Sequence, residues 1–220
     1  GTTGGRLQLW SGKSATSSAT AGDGSSGSIA IQTPNSHSAV GLSGSIIMSS
    51  GTSSAGNTGA FYIGSGVATG GRAGSVYISS GDGKTGTGGE VVLSAGSTST
   101  ATGTTGGRVQ IISGLSTTKT SGAVTIQTGA STGTATDSSA SGMMVLSTGD
   151  SANGNSGGLF ISSGSSTTDN KGRSGAVYVR AGNGKKDTGG EIVLSAGSTT
   201  NSGTTGGRLQ LWSGKSATSS

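Results

Sequence analysis

No cysteine occurs in this chain, so disulfides and thiolate metal sites are excluded and the redox compartment is left open. Charged residues make up 10% and hydrophobic residues 28%, against about 25% and 45–50% in ordinary domains, which rules out a conventional globular core. The net charge is only +5, whereas disordered chains combine high charge with few β-branched residues. Lysines stand mostly alone (Lys13, Lys84, Lys119, Lys171), with one pair at Lys185 and Lys186. Without a basic stripe or interleaved aromatics, nucleic acid is not an expected partner. Apolar runs such as Ile46–Met48 are far below the ~18 residues of a membrane span.

What the chain has in abundance is small residues: 47 Gly, 44 Ser and 32 Thr. Its first eighteen residues, GTTGGRLQLWSGKSATSS, return unchanged at 203–220, an offset of 202 residues. Self-similarity at a fixed offset is the mark of a repeat architecture. Residues 1–220 are therefore expected to be one continuous segment from a longer tandem array, continued by the same polypeptide or by molecules stacked end to end. A half-period supports this: GSVYISSGDGKTGTGGEVVLSAGST from Gly74 returns as GAVYVRAGNGKKDTGGEIVLSAGST from Gly175, 101 residues later.

Inside the long period lies a short phrase, small-Gly-x-Φ-x-Φ-x-(Ser/Thr/Ala)-Gly, where Φ is apolar. Its opening glycines fall at 5, 27, 44, 59, 74, 89, 107, 122, 142, 157, 175, 190 and 207, and only at Pro34 is the closing glycine replaced. In all thirteen phrases the second and fourth residues after the opening glycine are apolar, from Leu7 and Leu9 to Leu209 and Leu211. Such alternation is the period-2 signature of a strand with one buried face. No segment has the i, i+3, i+4, i+7 spacing of a helix.

Spacings between opening glycines run 22, 17, 15, 15, 15, 18, 15, 20, 15, 18, 15 and 17. After the first few they alternate short and long, which predicts an all-β fold, a parallel β-solenoid with two strands per coil in two facing parallel sheets. There would be about six coils per 202-residue repeat, and an axial rise near 29 Å at the usual strand spacing of ~4.8 Å. A few apolar side chains per coil cannot offset the entropy of ordering more than about thirty residues. The expectation therefore depends on continuous backbone ladders, on stacked hydroxyls such as Ser11, Thr33, Ser50, Ser65, Ser80, Thr128 and Ser163, and on coil adding to coil.

The short motifs carry no chemistry. Gly22-Asp-Gly-Ser-Ser-Gly27 and Gly81-Asp-Gly-Lys-Thr-Gly86 fit G-x-G-x-x-G, but no helix pattern follows to cradle a phosphate, so both are turns. Gly154-Asn-Ser-Gly-Gly158 fits G-x-S-x-G, yet Ser156 has only His37 in the whole chain as a possible base, several phrases away. Asp23, Asp82, Asp150, Asp169 and Asp187 lie between phrases, without the nine-residue spacing of a calcium-binding roll. No catalytic residue, cofactor or metal site is expected, and the chain reads as a non-enzyme.

The third residue of each phrase points away from the alternating face: Gln8, Ala30, Ile47, Tyr62, Tyr77, Val92, Gln110, Thr125, Val145, Phe160, Tyr178, Val193 and Gln210. Most are apolar or aromatic. They are there either because such residues favour strands or because they form outer contact faces, which Trp10, Ile112 and Trp212 would extend.

GGEVVLSAG, SGAVTIQTG and GSVYISSG resemble phrases in the long tandem arrays of secreted microalgal proteins of the diatom type, and more loosely those of extracellular adhesin stalks. The resemblance implies an extracellular, secreted or cell-surface fibre or adhesive filament, whose partners are further copies of itself, end to end or side by side. A carbohydrate-binding or surface-binding stalk, gripping polysaccharide or a solid surface, is the competing expectation. An ice-binding face is disfavoured because triplets such as Arg6-Gln8-Trp10 and Glu90-Val92-Ser94 are irregular.

Overall fold

A computed structural model describes residues 4–13, 25–37, 40–99, 105–132, 140–167, 172–185 and 188–215. The chain divides into two units, Gly1–Val109 and Gln110–Ser220. Among the described residues there is no helix, no strand and no ladder between phrases. Nor is any of these residues buried. The chain exposes 22345 Å², where a folded monomer of its mass exposes about 8,900 Å².

This overturns the expected β-solenoid. Among the described residues there are no coils and no facing parallel sheets, and the 29 Å rise falls with them. The physical reason is that alternation specifies which side chains share a face, not which backbone pairs with which. Pairing a phrase with its next neighbour but one orders two loops and two phrases before any ladder forms, at about 1–2 kcal/mol per residue. Gly, Ser and Thr account for 123 of the 220 residues. Glycine loses the most freedom on ordering, and Ser and Thr add little apolar area in return.

What the chain forms instead is local. Each phrase runs without bend or turn, and the segment after it folds back so that the next opening glycine meets the small residue just before the closing position. All twelve links between the thirteen phrases show this approach, six in each unit. In Gly1–Val109 a β-carbon placed on Gly27 would lie 3.4 Å from Ser11 Cβ, and on Gly107 3.1 Å from Ala95 Cβ. In Gln110–Ser220 the values are 3.2 Å for Gly175 against Ser163 Cβ and 3.1 Å for Gly190 against Ala181 Cβ. The tightest is Gly89, at 2.9 Å from Ser80 Cβ. An alanine there must push the backbones apart.

Hydrogen bonds close eight of the twelve junctions. The opening glycine's N–H donates to the preceding closing carbonyl at Gly27–Gly12 (2.9 Å), Gly89–Gly81 (3.0 Å), Gly107–Gly96 (2.8 Å), Gly122–Gly114 (2.9 Å), Gly190–Gly182 (2.9 Å) and Gly207–Gly197 (2.8 Å). At three junctions the hydroxyl before the closing position donates to the opening carbonyl: Thr33 to Gly44 (3.1 Å), Ser80 to Gly89 (2.8 Å) and Ser163 to Gly175 (2.8 Å). The Ser/Thr column thus bonds along the chain, across one loop.

The two ends of each enclosed segment meet, as they do in an Ω-type loop. Of the six seven-residue loops, 52–58, 67–73, 82–88, 115–121 and 150–156 bend at their middle, at 54–56, 69–71, 84–86, 117–119 and 152–154, and 183–189 is bent at 185. Serine stabilises the bend twice in one register: Ser53 Oγ accepts from Gly56 N and Ser116 Oγ from Lys119 N, each at 2.9 Å. Gly86, at φ 103°, leaves its bend through the left-handed region where a side chain is strained.

Apolar exposure carries the imprint of the junctions. From the second phrase onward, the second-position side chains, Ile29 to Leu209, are 45–56% exposed, whereas Leu7, with no described phrase before it, is 86% exposed. The fourth-position side chains from Leu9 to Leu194 are 62–74% exposed, and Leu211, with no described phrase after it, 85%. Each phrase shades the start of the next, and is shaded in return. Shading of this depth is not burial, and it leaves every described apolar side chain partly facing water.

Gly89→Ala is therefore expected to open one junction and leave its neighbours intact. In NMR the close Ser80–residue 89 proximity should vanish while the Ser65–Gly74 and Ala95–Gly107 proximities persist; a change spreading along the unit would contradict the local picture.

Candidate contact surface

The outward third position is free of charge in every phrase. In Gly1–Val109 it places Ile47, Tyr62, Tyr77 and Val92 on four successive phrases, held in sequence by the Ser50–Gly59, Ser65–Gly74 and Ser80–Gly89 junctions. In Gln110–Ser220 it places Val145, Phe160, Tyr178 and Val193 on four more, linked through Thr148–Gly157, Ser163–Gly175 and Ala181–Gly190. All eight are 67–93% exposed, with the four aromatics at the upper end.

The same apolar series thus occurs once per unit. It is bounded in sequence by phrases whose third residue is Gln or small: Gln8 and Ala30 before the first, Gln110 and Thr125 between the two, Gln210 after the second. Trp10, Ile112 and Trp212 stand on those bounding phrases, at the fifth position, and are exposed as well. They do not belong to either four-phrase series.

Among the described residues, no group of three or more His, Cys, Asp or Glu side chains could hold a metal ion. Asp82 and Asp150 each begin an exposed seven-residue loop; Asp23, Asp169 and Asp187 lie outside the described residues. Gly81–Gly86 spans part of the loop 82–88, with no helix after it, and Gly22–Gly27 falls partly outside the described residues. Ser156 ends the loop 150–156 in one unit, while His37 belongs to the other. Among the described residues no helix is long and apolar enough to cross a membrane.

The pair that the alternation did not reveal is the small residue at the sixth position of one phrase with the opening glycine of the next. The signal was present, since Gly opens all thirteen phrases and Ser, Thr or Ala fills the sixth position in each. Its meaning, a contact between consecutive phrases, emerges only in three dimensions.

No protein-family model matches this chain, and no curated protein or solved structure is similar to it. The residues define a physical class: a repeat chain that leaves its apolar side chains uncovered and organises itself through loop-closing glycines.

Proposed function

We propose that this chain is a non-enzymatic structural segment that works by association of its copies, as part of an extracellular fibre or adhesive filament. The observation carrying this reading is the uncharged, exposed apolar series that occurs twice per chain. A segment with no buried residue among those described has its apolar surface available for intermolecular contact. Exposed apolar surface on this scale marks interaction sites.

The expected occupant is a second copy. Four side chains of this size offer roughly 600 Å², close to the ~800 Å² that each partner gives to a standard interface. No charge at the third position opposes bringing like faces together. Two faces per chain allow association to propagate where a single face would close into a dimer. The Ser/Thr-rich loops and the resemblance to secreted repeat arrays support a place outside the cell.

The test is sedimentation velocity across a wide concentration range, paired with electron microscopy and retention on immobilised polysaccharides. Assembly into species longer than dimers that grows with concentration is the expected result. A chain that stays monomeric at every concentration contradicts the proposal. Retention on glycan that is lost in Tyr62→Ala or Tyr77→Ala would move the assignment to a carbohydrate-binding stalk.

A further inference from the structure

Two loops carry the dipeptide Asn-Gly, at Asn153-Gly154 and Asn183-Gly184. Asn153 sits in the central bend 152–154 of the loop 150–156, and Asn183 begins the loop 183–189; both are exposed. We propose that these are self-modification sites, at which the chain converts its own asparagine to aspartate and isoaspartate with water as the only co-reactant.

The chemistry needs no enzyme. The Gly154 backbone nitrogen, on losing its proton, attacks the Asn153 side-chain carbonyl carbon. A C–N bond forms, the side-chain amide nitrogen leaves as ammonia, and a five-membered succinimide remains. Water then opens the ring at either carbonyl, giving aspartate or, when the chain continues through the side-chain carbonyl, isoaspartate. No redox change occurs. Glycine favours the attack because no β-carbon shields its nitrogen and its backbone reaches the required conformation freely.

Three observations support these positions. Neither asparagine side chain makes a hydrogen bond to another described residue. In two sister loops the fifth residue's N–H is tied to the second residue's serine, at Gly56–Ser53 and Lys119–Ser116 (both 2.9 Å). In the loop 150–156 Ser151 Oγ would lie 3.5 Å from a Gly154 β-carbon, but no such bond holds the Gly154 amide.

The half-period also shows that the aspartate product is compatible with a closed junction. Where one unit has Gly182-Asn-Gly184, the other has Gly81-Asp-Gly83, the sequence that conversion at Asn183 would create. Both versions close the same junction, Gly190–Gly182 at 2.9 Å and Gly89–Gly81 at 3.0 Å. Conversion at both sites would lower the net charge from +5 to +3, and a chain nearer neutrality associates more readily. If copies associate as proposed above, the reaction is a clock that promotes assembly with age.

The experiment is prolonged incubation of the purified chain at mildly alkaline pH, followed by peptide mass mapping and enzymatic isoaspartate detection. Residues 153 and 183 should gain about one mass unit each, at least roughly tenfold faster than Asn35, Asn57, Asn155 and Asn201. Gly154→Ala and Gly184→Ala should each slow its own site by a similar factor. Equal rates at all asparagines, or no conversion at 153 and 183, would overturn the proposal. This readout is independent of whether the chain assembles.

Discussion

Replacing Ile47, Tyr62, Tyr77, Val92, Val145, Phe160, Tyr178 and Val193 together by serine is expected to raise the concentration at which copies associate by about a thousandfold. Each face contributes four apolar side chains; partial burial at about 1 kcal/mol apiece amounts to about 4 kcal/mol, and 1.4 kcal/mol is tenfold in affinity. Restricting the change to Ile47, Tyr62, Tyr77 and Val92 leaves one face, so assembly should stop at dimers. Because all eight residues are exposed, neither variant should alter the far-ultraviolet circular dichroism of the dilute chain. Sedimentation velocity on the three proteins distinguishes the cases. An unchanged threshold in the eightfold variant would remove the contact face from consideration and leave Trp10, Ile112 and Trp212 to be tested in its place.

Heating the dilute chain should produce no cooperative heat-absorption peak. A folded domain of this length unfolds with an enthalpy near 150 kcal/mol, about 0.7 kcal/mol per residue, because a packed interior comes apart in one step. Here no described residue is buried, and each junction bond closes only its own loop. Junctions should therefore open one by one, each held by a net stabilisation of about 1 kcal/mol per hydrogen bond. Urea titration should likewise give a shallow drift, since little surface remains to be exposed. A sharp calorimetric transition of tens of kcal/mol in the monomer would show that a core exists and that the local picture is wrong.

These expectations differ from those the repeat pattern suggests by itself, and Val91, Val92 and Leu93 show why. Their alternation places Val91 and Leu93 on one side and Val92 on the other, yet exposure sets apart only Val91, at 45%, while Leu93 at 71% matches Val92 at 72%. The step from alternation to a sheet required a ladder partner two phrases away, and none is present among the described residues. The Ser80–Gly89 approach was equally legible as a pattern, a small residue six positions after one glycine and a glycine opening the next phrase. What it does could not be read from spacing, because the same two residue types would also suit a stacked column. The contact residues were legible as a class, apolar at a position facing away from the alternating side, while their separation into two four-phrase series became functional evidence only beside the two units.

The linear order of residues alone determined the thirteen phrases, their period-2 character, the loops between them, the 202- and 101-residue periods and the want of charge at the outward third position. These are local or compositional properties, set by residue identity and near neighbours. The three-dimensional arrangement decided what each phrase touches: its successor, through glycine and a small side chain across one loop, and no ladder partner. Loop closure over seven to fourteen residues is entropically cheap, whereas a sheet must order far more chain before its bonds form. In a sequence this rich in glycine and hydroxyl side chains, the apolar area gained is too small to offset that ordering.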